Sequence, residues 1–123
     1  MAATKRQSKQ LERQLMASLT EACETAKAEI PGFSWLTHDT GQADFPAGLR
    51  VTWIFDTQAS LDQALADGAG ERMRALTESA LAESGLQVAD LSACLQFDSE
   101  EACKRAQRGD WLARLDQLRR SRH

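Results

Sequence analysis

Leu49-Arg50-Val51-Thr52-Trp53-Ile54-Phe55-Asp56-Thr57, residues 49–57, decides the fold. Val51, Trp53 and Phe55 alternate with Thr52 and Ile54. β-Branched and aromatic side chains favour a strand, and apolar residues on both faces predict a central one covered on much of both sides. At Asp56-Thr57 the period changes from two residues to the helical repeat, so a helix follows the strand directly.

Upstream, the turn-rich loop DTGQADFPAG separates this strand from FSWLTH, residues 33–38, a short aromatic strand. With only a loop between them, the two strands form an antiparallel hairpin most simply. Before the hairpin, Leu11, Leu15, Leu19, Ala22, Ala26 and Ile30 keep to one stripe of a 3.6-residue period. They predict a long helix, capped at its start by Thr4 or Ser8 and ended by Pro31-Gly32.

Downstream, Leu61, Ala64 and Leu65 mark a short helix that stops at Asp67-Gly68-Ala69-Gly70. A second runs from about Glu71 to Ser84, with Met73, Leu76, Ala80 and Leu81 inward and Gly85 at its end. LSACLQFD, residues 91–98, reads as a third strand, with Leu91, Ala93, Leu95 and Phe97 on one face and Ser92, Cys94 and Gln96 on the other. Helices over Ser99–Gln107 and Asp110–Arg120 close the chain. A helix pair between the second and third strands allows a right-handed crossover and parallel pairing. The expected package is a single α+β domain of order α-β-β-α-α-β-α-α, a three-stranded sheet with helices on one face and frayed ends at 1–8 and 120–123.

Charge is segregated along the chain. Residues 1–20 carry a net +3, residues 21–101 a net −11 and residues 102–123 a net +5, within a total of −3. Such segregation makes local fields that the total conceals, and it marks interaction proteins. The basic end of the long helix opposes the helix dipole, so local helix stability does not account for it.

Composition excludes several classes. No apolar run approaches the roughly 20 residues of a membrane span, and the polar start MAATKRQSKQ lacks the apolar core of a signal peptide, so a cytoplasmic location is expected. Cys23, Cys94 and Cys103 are an odd count at irregular spacing, as for reduced thiols. No Cys/His pair stands at ligand spacing, so no metal or other cofactor is expected.

The strings PGFSWLTH, DFPAGLRVTWIFDT and FDSEEAC resemble a family of small proteobacterial proteins of unassigned function, over most of residues 11–115. Some of its members are labelled Fis-type transcriptional regulators. Fis proteins are helical and end in a helix-turn-helix, whereas this chain has three strand signals and no such C-terminal unit. DNA-binding residues are therefore not carried over. Separately, the order α-β-β-α-α-β is similar to the type II KH fold as found in the ribosome-binding factor A family. That likeness implies nucleic-acid backbone held by a GXXG loop between two helices. The corresponding turn here reads Gly68-Ala69-Gly70-Glu71 after Asp67, without the motif and with flanking carboxylates.

The candidate contact residues are the basic ends: Lys5, Arg6, Lys9 and Arg13 at the start, and Lys104, Arg105, Arg108, Arg114, Arg119, Arg120 and Arg122 at the finish. Brought together, they would displace counterions from phosphates. The other notable residues have simpler readings. Asp56 and Asp98, each at a strand end before a helix, or the Thr57 and Ser99 that follow them, suit helix capping. Cys23, Cys94 and His38 form no recognisable catalytic set. Trp35, Trp53 and Trp111 suit core packing better than base stacking. The expected function is a non-enzymatic binding module for RNA or the ribosome. The alternative is a regulator that meets a protein partner through its acidic surface or long helix, or pairs as a homodimer.

Overall fold

A computed structural model of the chain describes residues 5–41, 43, 45–88 and 90–121, with only the backbone of Lys5 and Ser121. The elements are α1 (Lys5–Glu29), β1 (Phe33–Asp39), β2 (Arg50–Phe55), α2 (Gln58–Ala66), α3 (Ala69–Glu83), α4 (Leu91–Cys94), β3 (Leu95–Ser99), α5 (Glu100–Gln107) and α6 (Trp111–Ser121). The class is α+β, as expected. Helix extends over residues 5–8 and 120–121, where the sequence suggests fraying. The Thr4 cap lies outside the described residues, and Ser8 is inside α1.

The sheet has the order β1-β2-β3, so the strongest strand is the central one. β1 pairs antiparallel with β2, and β2 pairs parallel with β3 through the α2–α3 crossover. The register gives the sheet two distinct faces. On the first lie Phe33, Leu36 and His38 of β1, Val51, Trp53 and Phe55 of β2, and Leu95 and Phe97 of β3. On the second lie Trp35, Thr37, Thr52, Ile54, Gln96 and Asp98.

The first face holds the apolar core. Leu15, Leu19, Ala22, Ala26 and Ile30, the stripe read from the sequence, are buried with Val51, Trp53, Phe55, Met73 and Leu81. Phe33 meets Trp53 and Phe55 at ring-centroid distances of 5.1 and 5.8 Å. Such pairs add about 1 kcal/mol beyond the area they bury. The Trp53 indole N–H donates to Thr77 Oγ1 at 3.0 Å, so α3 satisfies the polar group that Trp53 brings into the core.

Two expectations need correction. The segment read as a strand over 91–98 starts with one helical turn. Asp90 caps it by accepting from the Ser92 N–H at 3.0 Å, and Leu91 and Cys94 turn inward at helical spacing. Ala93, expected on the core face, is exposed. The helices also do not keep to one face. α6 lies across the second, where Trp111 packs edge-on against Trp35 at 5.3 Å and Arg114 reaches Asp98. That cover explains why Gln96 and Asp98 are buried more deeply than their apolar neighbours Leu95 and Phe97.

Candidate nucleic-acid interface

The direction of the strands decides where the basic ends go. Asp39, the last residue of β1, pairs with Arg50, the first of β2. His38 Nε2 lies 3.0 Å from Glu12 of α1 on the first face. On the second, Arg119 of α6 donates to Asp39 Oδ1 at 2.6 Å and to the Gly48 carbonyl at 3.0 Å. The start of α1 and the end of α6 therefore converge on one end of the sheet, on opposite faces. α5 starts at the other end, where Ser99 closes β3 beside Phe55. Arg108 sits in the turn before α6, a helix of 11 residues that leads from it toward Arg119.

The predicted cations divide by what they touch. Arg114 forms a two-pronged pair with Asp98, Nε to Oδ2 at 2.7 Å and Nη2 to Oδ1 at 2.9 Å, with Asp98 only 4% exposed. That carboxylate raises the Arg114 pKa further above its already high ordinary value. Arg119 is likewise committed, to Asp39 and the β1–β2 loop. Arg105 and Arg120 each face a carboxylate one turn back, Glu101 and Asp116. Arg122 and the side chain of Lys5 lie outside the described residues.

Arg6, Lys9 and Arg13 are different. Their spacing of three and four places them on one stripe of α1, where with Gln10 they line one shallow depression. All three are exposed, and none has a carboxylate partner among the described residues. The first turn of α1 holds no acidic residue, so the dipole's positive end adds to their field. Lys104 and Arg108 are also exposed and unpaired among the described residues, but they stand on α5 and its following turn, at the opposite end of the sheet.

The remaining candidates take structural places. Thr57 and Ser99 cap α2 and α5, accepting from the Ser60 and Ala102 N–H groups at 3.0 and 3.1 Å. Asp56 accepts from the Thr57 N–H at 2.6 Å, while Asp98 serves α6 and caps nothing. Cys94 and Cys103 are buried, and burial pushes both thiols above their ordinary pKa, which suppresses the thiolate a nucleophile needs. No group of three or more potential metal ligands converges among the described residues. No described helix is long and apolar enough to cross a membrane.

Sequence reading missed the Asp98–Arg114 pair and the second bidentate clamp, Arg72 to Glu29 at 2.9 and 2.8 Å, which ties the start of α3 to the end of α1. Their only sequence signal is opposite charge at a long separation, which many pairs share. No family model, curated protein or solved structure matches the chain.

Proposed function

We propose that this chain is a non-catalytic, cytoplasmic module that binds RNA, free or in the ribosome, through the basic start of α1. The observation that carries the reading is the exposed stripe of Arg6, Lys9 and Arg13, cations that neither the helix dipole nor any described carboxylate accounts for. Apart from the one-turn α4 before β3, the element order follows that of the type II KH fold, which supports this reading. At the α2–α3 turn, Asp67 and Glu71 are exposed beside Gly68 and Gly70, so phosphate is repelled there and the contact moves to α1. The acidic middle of the chain orients the molecule with its basic end toward a polyanion.

The test is sedimentation with ribosomes from a lysate and binding to single-stranded RNA, each at low and moderate salt. Wild type is compared with Arg6→Gln/Lys9→Gln and with Lys104→Gln/Arg108→Gln. Binding by the wild type, lost in the first variant and kept in the second, is the expected result. Absence of wild-type binding to either partner at low salt overturns the proposal.

A further inference from the structure

The edge of the sheet at β1 is open. β1 is the outermost strand, and alternate backbone N–H and C=O groups point away from β2. β3, the other edge, packs with α2, α4 and α5. Edge strands are ordinarily guarded by lysine, proline or an inward charge. β1 holds no lysine or proline, its one carboxylate, Asp39 at the strand's end, is held by Arg119, and the single register irregularity lies at the far end, between Phe33 and Trp35.

α1 packs against β1 on the first face and leaves part of that face uncovered. Leu36, on the face beneath α1, is only half-buried and opens into a groove of about 250 Å³ shared with Met16, Leu19, Thr20, Cys23 and His38. Met16, near the middle of α1, is 54% exposed, among the most exposed large apolar residues of the described chain. Met16, Thr20 and Glu24 line the groove, and Arg13, one turn before Met16, continues their stripe at steps of three, four and four. A cation stands at one end of this stripe, a carboxylate at the other and neutral side chains between. Neither Arg13 nor Glu24 has an ionic partner among the described residues.

We propose that β1 and this stripe of α1 form the interface with a second copy of the chain. Two-fold pairing requires one patch to complement itself, and antiparallel β1 strands do so. An axis through Leu36 places Trp35 opposite Thr37 of the second copy and Ser34 opposite His38, with no like charges in register. Leu36 shares its groove with Leu19, so the axis also passes near the middle of α1. Arg13 lies six residues before Leu19 and Glu24 five after it, so antiparallel α1 helices bring Arg13 to Glu24 of the second copy, twice. Met16 fills the groove from each side. The result is a continuous six-stranded sheet with Arg6 and Lys9 left free at both outer ends. A generic extended peptide would match the strand edge alone and would leave the charged stripe unexplained.

The experiment is sedimentation equilibrium of the full chain across a wide concentration range, with circular dichroism confirming the fold of each variant. Arg13, Met16 and Glu24 are all exposed, so the substitutions leave the core intact. The expected wild-type mass is twice 13.6 kDa. Met16→Glu, Arg13→Glu and Glu24→Arg should each weaken dimerisation by about tenfold or more, and Arg13→Glu/Glu24→Arg should recover most of the affinity lost by either reversal. A monomer at every concentration overturns the proposal, as does a dimer that is indifferent to all three single changes. RNA binding by Arg6→Gln/Lys9→Gln reads the two cations that the dimer leaves free and touches none of the residues changed for dimerisation, so the two proposals fail separately.

Discussion

Asp98 shows how a residue's role depends on a partner that its neighbourhood in sequence does not contain. Read locally, it is one more aspartate at a strand end. In the fold its carboxylate is 4% exposed and takes both prongs of Arg114, whose side chain is 16% exposed. Arg114, in turn, reads as one of a run of surface cations. Breaking such a pair from one side leaves an uncompensated charge in a dry site. Asp98→Ala is therefore expected to cost about 3 kcal/mol in urea unfolding, and Asp98→Ala/Arg114→Met distinctly less than the single change. The cysteines give a second check at this scale. Cys94 and Cys103 are buried with their thiols shifted upward, and Cys23 opens to the groove beside β1. At mildly alkaline pH, and dilute enough for the protein to be monomeric, a disulfide reagent should modify Cys23 quickly and the other two only on unfolding. Rapid reaction of all three in native protein would contradict the burial of Cys94 and Cys103.

Among the elements, β2 and α1 were the most legible, because each states its period over many residues: both faces of β2 are apolar, and α1 repeats one stripe for 20 residues from Leu11 to Ile30. α4 was not legible. Leu-Ser-Ala-Cys alternates as a strand does, and only the Asp90 cap shifts it to a helical turn. The cover over the second face was also hidden, since α6 attaches through Trp111, Arg114 and Arg119 and buries none of its described residues fully. Two junctions can be tested. At the α1–β1 turn Gly32 has φ +83°, and a Cβ there would lie 2.5 Å from Ser60 Cβ. Left-handed backbone and overlap with α2 act together, so Gly32→Ala should destabilise by about 2 kcal/mol or more, read by thermal or urea unfolding. At the α1–α3 junction, Arg72 holds the Glu29 carboxyl below its ordinary pKa of 4.5, first by its hydrogen bonds and then by its charge. A depressed carboxylate contributes stability above its unfolded pKa and loses it as pH falls through the folded one. Wild type should thus exceed Glu29→Gln in stability at neutral pH, and the gap should close on acidification below the ordinary carboxylate range. Exposure of the pair keeps that gap small.

For the whole molecule, the fold sorts a charge pattern that the chain only lists in order. Two basic ends flank an acidic middle, and both ends do reach the same end of the sheet. They arrive on opposite faces, and the C-terminal cations there are largely spent: Arg119 on Asp39, Arg120 on Asp116. Arg114 is spent on Asp98, toward the other end of the sheet. Among the described residues, the exposed cations without a carboxylate partner at that end of the sheet are those of the N-terminal stripe, Arg6, Lys9 and Arg13. Sequence could not make that distinction, because pairing is decided by which carboxylates the strands and α6 bring within reach. The consequence is quantitative. Each cation that neutralises a phosphate on single-stranded RNA contributes about 0.7 to the slope of log affinity against log salt. Replacing Arg6 and Lys9 by glutamine should therefore flatten that slope by about 1.4 and weaken binding most at low salt. Changing Lys104 and Arg108, an equal loss of formal charge on the far side of the sheet, should leave the slope as it is. Titrations of one RNA oligomer at several salt concentrations with the three proteins give the answer. Equal flattening by both variants would mean that total charge governs binding; flattening by the first alone ties it to the start of α1.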